Sequence, residues 1–119
     1  APEPGKGWYV LPTVFTNVTN NMRIAREEIF GPVLCVITYD TVDEAVAIAN
    51  DTPYGLSAGV YGEDREQALS VARRIPRGVN GAPRDVTAPF GGYKQSGIGR
   101  EGGRYGLMEF TQLKAVFDH

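Results

Sequence analysis

The fold is decided by the run Val33-Leu34-Cys35-Val36-Ile37-Thr38-Tyr39, which is almost entirely apolar or β-branched. Such a run is typical of a strand that is covered on both faces of a sheet. Thr41 and Glu44 follow it directly and have the spacing of a capping box. They predict a helix that ends near residues 50–53. A buried strand followed at once by a helix indicates an α/β protein.

The alternation of strands and helices continues along the chain. Residues 57–61 predict a short strand, Asp64 and Gln67 repeat the cap signature, and Pro76 ends the helix that they open. A short last strand is expected near Val79. This order predicts an α/β fold with a parallel open sheet and right-handed crossover helices.

The flanking segments have a different character. Residues 8–15 are strand-like but interrupted by Pro12, which suits a sheet edge. Gln112 to Phe117 alternates polar and apolar residues and predicts a half-exposed strand, whose edge could pair with another chain. Nine of the 15 glycines lie between Gly78 and Gly106. A long glycine-rich loop inside a compact domain is usually functional.

Composition excludes several classes of protein. Twelve basic and 14 acidic residues give a net charge of −2 without any basic cluster, so neither nucleic acid nor an anionic membrane is an expected partner. No apolar run is long enough to cross a bilayer. One cysteine excludes an intrachain disulfide and fits a cytoplasmic location. With one cysteine and one histidine, no metal site is expected.

Two possible chemical motifs are set aside. The stretch from Gly97 to Gly102 matches G-x-G-x-x-G, but that fingerprint requires a hydrophobic strand before it and a helix after it, and the sequence predicts neither. Cys35 is the only thiol and lies in an apolar run, where desolvation makes a thiol unreactive. We therefore expect Cys35 to have a packing role.

A pair of carboxylates stands beside an aromatic residue immediately before the central strand. Glu27 and Glu28 precede Ile29 and Phe30, and a Gly-Pro turn follows. One carboxylate could accept hydrogen bonds from ribose hydroxyl groups while Phe30 packs against a flat ring. The spacing alone fits a solvated turn before a strand at least as well, because exposed glutamates are common.

The stretch from Ile24 to Val33 resembles the nicotinamide-ribose motif of the NAD(P)-dependent aldehyde dehydrogenase superfamily. Other segments resemble further stretches of that superfamily, in the same order: Gly7 to Val14, Asn50 to Gly59, Pro89 to Gly97, and Gly99 to Glu101. The resemblance covers nearly the whole chain, from about Gly7 to Phe117.

The resemblance implies a role for each matching residue. Glu28 corresponds to the glutamate that accepts hydrogen bonds from the nicotinamide ribose, and Phe30 to the aromatic beside the nicotinamide of NAD or NADP. Phe90 corresponds to an aromatic on the wall of the aldehyde funnel. Glu101 resembles a carboxylate near a proton exit route.

The loop before Phe90 falls on the substrate-contacting loop of the superfamily, where Arg84 and Asp85 are candidates for substrate recognition. The segment around Gly78 is about three residues shorter than in relatives. That difference bears on the register of this loop and leaves Glu28 and Phe30 unaffected.

The resemblance also implies a division of the chain. Residues 1–111 would be the C-terminal part of the catalytic domain, and residues 112–119 an oligomerisation strand and tail. The cysteine nucleophile, the general base and the Rossmann-like domain would lie upstream, in the remainder of the enzyme. The chain could thus belong to an aldehyde-oxidising homo-oligomer, or act alone as an inactive folding or assembly module.

Overall fold

The computed structural model describes residues 5–79 and 85–118. The chain divides into two units, Ala1–Asp51 and Thr52–His119, each with its own elements. Both units combine strands with helices, which confirms the α/β class.

The first unit is a β-α-β arrangement followed by a helix. Strand β1 (Thr13–Phe15) pairs in parallel with β2 (Val33–Cys35), so that Thr13 lies opposite Val33. The single-turn helix α1 (Arg23–Arg26) lies between them in sequence, and α2 (Val42–Asn50) follows β2. The edge strand expected over residues 8–15 is thus formed in its last three residues.

The central run is shorter and more exposed than predicted. Only three of its seven residues form β2, and Leu34 is 59% exposed. The expectation of a strand covered on both faces is therefore wrong for this chain taken alone. One neighbouring strand and short helices supply too few atoms to cover both faces, and Val18 and Val46 are the buried apolar side chains of this unit's described part.

The predicted helix starts are confirmed atom by atom. The Thr41 hydroxyl accepts a hydrogen bond from the Glu44 N–H at 3.2 Å, and the Glu44 carboxylate accepts one from the Asp40 N–H at 2.8 Å. Asp64 accepts hydrogen bonds from the N–H groups of Glu66 and Gln67 at 2.8 and 3.2 Å. Both caps satisfy N–H groups that a helix start otherwise leaves unpaired.

The second unit holds the remaining elements. These are β3 (Tyr54–Gly55), β4 (Ser57–Ala58), α3 (Arg65–Arg73), β5 (Gly78–Val79), β6 (Tyr93–Lys94) and α4 (Gly103–Met108). Strands β4 and β5 are parallel and joined through α3, as the predicted crossover requires, while β3 and β6 are antiparallel. The strands are distributed over three two-stranded sheets rather than one continuous sheet.

Two features of the C-terminal part differ from expectation. Helix α4 begins at Gly103, so a helix does follow the G-x-G-x-x-G match, although no hydrophobic strand leads into it. Residues 112–117 belong to no helix or strand within this chain. A segment is assigned as a β-strand only when its backbone is paired with a neighbouring strand. The strand predicted for residues 112–117 therefore remains a prediction, and it would need a partner strand from another protein chain.

Much apolar surface is exposed. The chain exposes 10372 Å², whereas a self-contained folded protein of 12.9 kDa exposes about 6,300 Å². The most exposed large apolar side chains are those of Trp8, Phe30, Tyr61, Ile98, Phe110 and Leu113. Exposed apolar surface on this scale is typical of surface that other protein covers. No helix in residues 5–79 and 85–118 is both long and apolar enough to cross a membrane.

We expect the 119-residue chain, produced alone, to bind the dye ANS strongly and to self-associate, because its apolar side chains lack a covering partner. ANS fluorescence and light scattering after size exclusion would measure both properties, with a compact protein of similar mass as control. A monomer that binds no dye and unfolds cooperatively would contradict this expectation.

Candidate functional site

Residues 27–32 form the loop that joins α1 to β2. Its two glutamates, Glu27 and Glu28, have different surroundings. Arg23 lies four residues before Glu27, and its Nε donates to the Glu27 carboxylate at 2.9 Å. The Glu27 N–H also donates to the Arg23 carbonyl at 3.0 Å. Glu27 therefore ends the helix and is tied to it, as the interpretation of a solvated helix end predicts.

Glu28 is different from its neighbour. Its side chain is exposed, and it has no hydrogen bond or ion pair with any residue that the structure describes. A carboxylate offers two oxygens that can accept hydrogen bonds from two donors. Nothing in the described fold uses these acceptors, so they remain accessible to a ligand with hydroxyl groups.

Phe30 is the second residue of the loop that folding does not explain. Its ring is 93% exposed, and its backbone has φ of +50°, in the left-handed region. This conformation costs a residue with a Cβ on the order of 1 kcal/mol. Phe30 lines a hollow of about 340 Å³ together with Ile29 and Cys35. Glu28 is not among the residues that line this hollow.

Arg26 fixes the helix end from which this loop departs. Its Nη1 and Nη2 donate to the two carboxylate oxygens of Asp51 at 3.3 and 3.0 Å, and its Nε donates to the Asn20 carbonyl at 2.7 Å. These partners leave no local pattern in the sequence, because Asp51 is 25 positions away from Arg26. The resemblance of the segment that starts at Asn50 was the only signal near them.

A second cluster brings together two predicted substrate residues, Asp85 and Phe90, and the predicted proton-relay residue, Glu101. The N–H and carbonyl groups of Phe90 and Glu101 exchange two hydrogen bonds of 2.7 Å, which forms an antiparallel bridge. Asp85, Phe90 and Glu101 all line a hollow of about 210 Å³. Arg84, the fourth predicted residue, lies outside the described residues. The cluster belongs to Thr52–His119, whereas Glu28 and Phe30 belong to Ala1–Asp51.

The Asp85 carboxylate is held in a local turn. Its Oδ1 accepts hydrogen bonds from the Thr87 hydroxyl at 2.6 Å and from the Thr87 N–H at 2.9 Å. These two bonds, the hydroxyl bond first, lower the pKa of Asp85 below its ordinary value. The two bonds also fix the orientation of the Asp85 carboxylate, which lines the hollow.

The glycine-rich segment around this hollow is tied together by cations. The Arg100 guanidinium donates to the carbonyls of Gly92 and Gly99 at 2.9 and 2.6 Å, and stacks 4.4 Å from the centre of the Tyr93 ring. The Lys94 ammonium donates to the Thr52 carbonyl at 2.7 Å. Both side chains satisfy backbone carbonyls and thus have a structural role.

One glycine is required by a close approach of two backbone segments. Gly102 has φ of +78°, and a Cβ at this position would lie 2.6 Å from the Ala88 carbonyl oxygen. The Cβ of any other residue would push apart the two backbone segments that form the Phe90–Glu101 bridge.

A sequence profile of the aldehyde dehydrogenase family matches residues 1–116. The chain belongs to the aldehyde dehydrogenase family. The segments that carried the resemblance all lie within the matched region, and Glu28, Phe30, Phe90 and Glu101 lie on them.

Relatives of known sequence and structure agree with this assignment. A relative from Staphylococcus saprophyticus, whose name assigns it to the aldehyde dehydrogenases, is 55% identical over 114 residues, which cover 93% of this chain and 24% of the relative. The crystal structure of Mycobacterium tuberculosis aldehyde dehydrogenase complexed with NAD+ matches with 50% identity and a TM-score of 0.81, over 89% of this chain and 23% of that one.

A cysteine-to-alanine mutant of aldehyde dehydrogenase C from Pseudomonas syringae, complexed with NAD+ and octanal, matches with 57% identity and a TM-score of 0.81. That match covers 92% of this chain and 24% of that one. The chain thus spans about a quarter of the length of the relatives that it matches.

Metal ligands are not clustered in the parts of the chain that the structure describes. No group of three or more histidine, cysteine or carboxylate side chains there could hold a metal ion.

We expect Thr87→Ala to raise the pKa of Asp85 towards its ordinary value, because the mutation removes the stronger of the two hydrogen bonds to the carboxylate. With the folded pKa lowered, the carboxylate stabilises the turn above the unfolded pKa and loses this effect as the pH falls through the folded pKa. Carboxyl ¹³C NMR titration would measure the Asp85 pKa in the wild type and in Thr87→Ala.

Thr111→Ala is the control for this titration, because the Thr111 hydroxyl donates to the Met108 carbonyl and not to a carboxylate. It should leave the Asp85 pKa unchanged. An Asp85 pKa that is the same in Thr87→Ala and in the wild type would contradict the assigned cause.

Proposed function

We propose that this chain supplies the nicotinamide-ribose contact and part of the aldehyde-facing wall of an NAD(P)-dependent aldehyde dehydrogenase. The reaction is the oxidation of an aldehyde to a carboxylic acid with NAD(P)+ and water, through a thioester on a cysteine outside these 119 residues. The observation that carries the proposal is a Glu28 carboxylate without a partner among the described residues, two positions before an exposed Phe30 ring.

The chemistry of the loop fits NAD or NADP. A ribose presents two neighbouring hydroxyl donors, and the Glu28 carboxylate offers two acceptor oxygens that no described group uses. The exposed Phe30 ring offers an apolar face to the flat nicotinamide. When bound, the dinucleotide supplies a carbon that accepts a hydride.

The contribution of this chain to catalysis would be positional. Two hydrogen bonds to a diol fix both the place and the orientation of a ribose, which restricts the ring attached to it. Holding a reacting atom within contact distance of its partner lowers the activation barrier, because the translational and rotational entropy has already been lost on binding. Phe30 adds exclusion of water on one face. Glu28 and Phe30 are therefore the proposed cofactor-binding residues.

The hollow of Phe90 is the proposed aldehyde-facing part. The Phe90 ring would provide an apolar wall, and Asp85 would place a charge at the rim. Arg84 remains a candidate for substrate recognition from its place in the sequence. Glu101, bridged to Phe90 through the backbone, is the proposed proton relay.

The surroundings of the chain are also proposals. Its partners would be the upstream part of the enzyme, an aldehyde, and further copies joined through residues 112–117, in a cytoplasmic homo-oligomer. Residues 1–111 would then be the C-terminal part of the catalytic domain and residues 112–119 the oligomerisation arm. The exposure of Leu113, Val116 and Phe117 supports such an interface.

A second candidate function is an inactive folding or assembly module. The same exposed apolar side chains favour it, because they could associate with other protein whether or not catalysis takes place. The two candidates differ in whether Glu28 affects turnover.

We expect Glu28→Gln, in the active enzyme that contains this chain, to slow single-turnover hydride transfer at least roughly tenfold, because the amide has one acceptor oxygen and misplaces the ribose. Stopped-flow detection of NAD(P)H under single-turnover conditions would measure the rate. An unchanged rate would remove the proposed role of Glu28.

Glu27→Gln is the matched control for this variant. It makes the same chemical change one residue away, on a side chain that is already paired with Arg23. It should change the rate by less than about twofold, since exposed ion pairs of this kind contribute little. Equal losses in both variants would contradict the proposed difference between the two glutamates.

We expect the purified 119-residue chain alone to produce no NAD(P)H from aldehydes, because its one cysteine, Cys35, lies within strand β2 with its thiol directed at the Ile24 carbonyl, 3.6 Å away. Absorbance at 340 nm with a panel of aldehydes and either dinucleotide would test this. Aldehyde-dependent turnover that Cys35→Ala abolishes would overturn the view that the nucleophile lies elsewhere.

A further inference from the structure

The loop that carries Glu28 and Phe30 is fixed at both of its ends. At the start, Arg26 is held by three hydrogen bonds, one to the Asn20 carbonyl and two to the Asp51 carboxylate. At the end, the Pro32 carbonyl accepts a hydrogen bond of 2.9 Å from the Thr13 N–H of strand β1. Only residues 27–31 lie between these two points.

The partners of Arg26 are themselves held in place. The Asn20 amide donates to the Ile48 carbonyl at 3.1 Å and to the Asp51 carboxylate at 3.2 Å. The Asp51 N–H donates to the Ala47 carbonyl at 3.0 Å, which places Asp51 at the C-terminal cap of α2. The anchor for the start of the loop is thus the end of a nine-residue helix.

The two parallel hydrogen bonds from Arg26 to Asp51, here called the fork, fix orientation as well as distance. A guanidinium that meets both oxygens of a carboxylate fixes the plane of both groups, which a single ammonium cannot do. Arg26 is the last residue of α1, and Glu28 follows two positions later. The fork therefore fixes the end of α1 two residues before Glu28.

The Arg26–Asp51 pair contributes little to the free energy of unfolding, because both side chains are accessible to water. The Arg26 and Asp51 side chains are 43% and 52% exposed, and ion pairs with such access to water contribute little to the free energy of unfolding. An interaction that contributes little to stability but fixes the base of a loop acts mainly on where that loop lies.

We propose that Arg26, through its fork on Asp51 and its bond to Asn20, is a positioning residue that sets the place of the Glu28 carboxylate. This inference rests on the proposed function of Glu28 as the ribose contact. Arg26 itself need not touch the cofactor, the substrate or the reacting atoms for this role.

The test compares NAD(P)+ with the analogue that lacks the 2′-hydroxyl of the nicotinamide ribose, in the active enzyme that contains this chain. A site built to bind a hydroxyl group discriminates strongly against an analogue without it, and we expect the wild type to do so by roughly tenfold or more in kcat/KM. In Arg26→Gln we expect this discrimination to fall at least about threefold, because the acceptor is no longer held in place.

Asp51→Asn should resemble Arg26→Gln, because it removes the charge and one acceptor from the other side of the fork. Arg26→Lys should fall between Arg26→Gln and the wild type, since a lysine keeps the charge but loses the fork. In Glu28→Gln, the further change Arg26→Gln should have little effect on discrimination, because the group that Arg26 positions is already altered.

Arg23→Gln is the matched control. Arg23 also lies in α1 and forms an ion pair, but its partner is Glu27. The side chains of Arg23 and Glu27 are 85% and 60% exposed. It should leave the discrimination within about 1.5-fold of the wild-type value, as expected for a surface pair. Equal effects of Arg23→Gln and Arg26→Gln would overturn the inference.

The outcomes separate the two proposals. If Glu28→Gln lowers discrimination and Arg26→Gln leaves it at the wild-type value, the positioning role is wrong and the ribose contact stands. If Glu28→Gln itself leaves discrimination unchanged, the proposed ribose contact fails, and the positioning role fails with it. Thermal unfolding of each variant would show whether a loss of activity reflects a loss of fold.

Discussion

The fork between Arg26 and Asp51 is the constraint on which the place of the loop with Glu28 and Phe30 depends. In the described part of residues 1–51 only Val18 and Val46 are buried apolar side chains, so packing alone holds little in place. The fork joins the end of α1 to the end of α2 across 25 positions of sequence. The directions of its two hydrogen bonds define where the loop leaves α1, although the pair contributes little to the free energy of unfolding.

The small core and the exposed aromatic rings have one physical cause. A chain of 119 residues that shares its strands and helices with a larger fold leaves its inner faces uncovered when it stands alone, and the relatives are about four times as long. The exposure of Leu34, on a strand whose sequence is almost wholly apolar, is the plainest case. Its composition suits a strand covered on both faces, and within this chain one face lacks a neighbour.

The sequence predicts those parts of the fold whose interactions are local. The caps at Thr41 and Asp64 depend on atoms two or three residues apart, so their spacing was sufficient. The pairings of β1 with β2 and of β3 with β6, and the Asn20–Asp51 contact, depend on distant residues and left no local pattern. Helix α4 was missed because two of its six residues are glycines, which weaken helix propensity. For the site, geometry brought Asp85, Phe90 and Glu101 to one hollow, but only the resemblance suggested their roles.

The two adjacent glutamates illustrate how the same residue type can serve folding and binding. Arg23 stands one helical turn before Glu27, a spacing visible in the sequence, and it occupies that carboxylate. Glu28 has no cation at the corresponding distance, because the residue four positions before it is Ile24. A carboxylate without a neighbouring cation keeps all of its lone pairs for hydroxyl donors, whereas an ion pair occupies some of them. Pairing the first glutamate and leaving the second unpaired gives the loop a fixed helix end and a free acceptor within two residues.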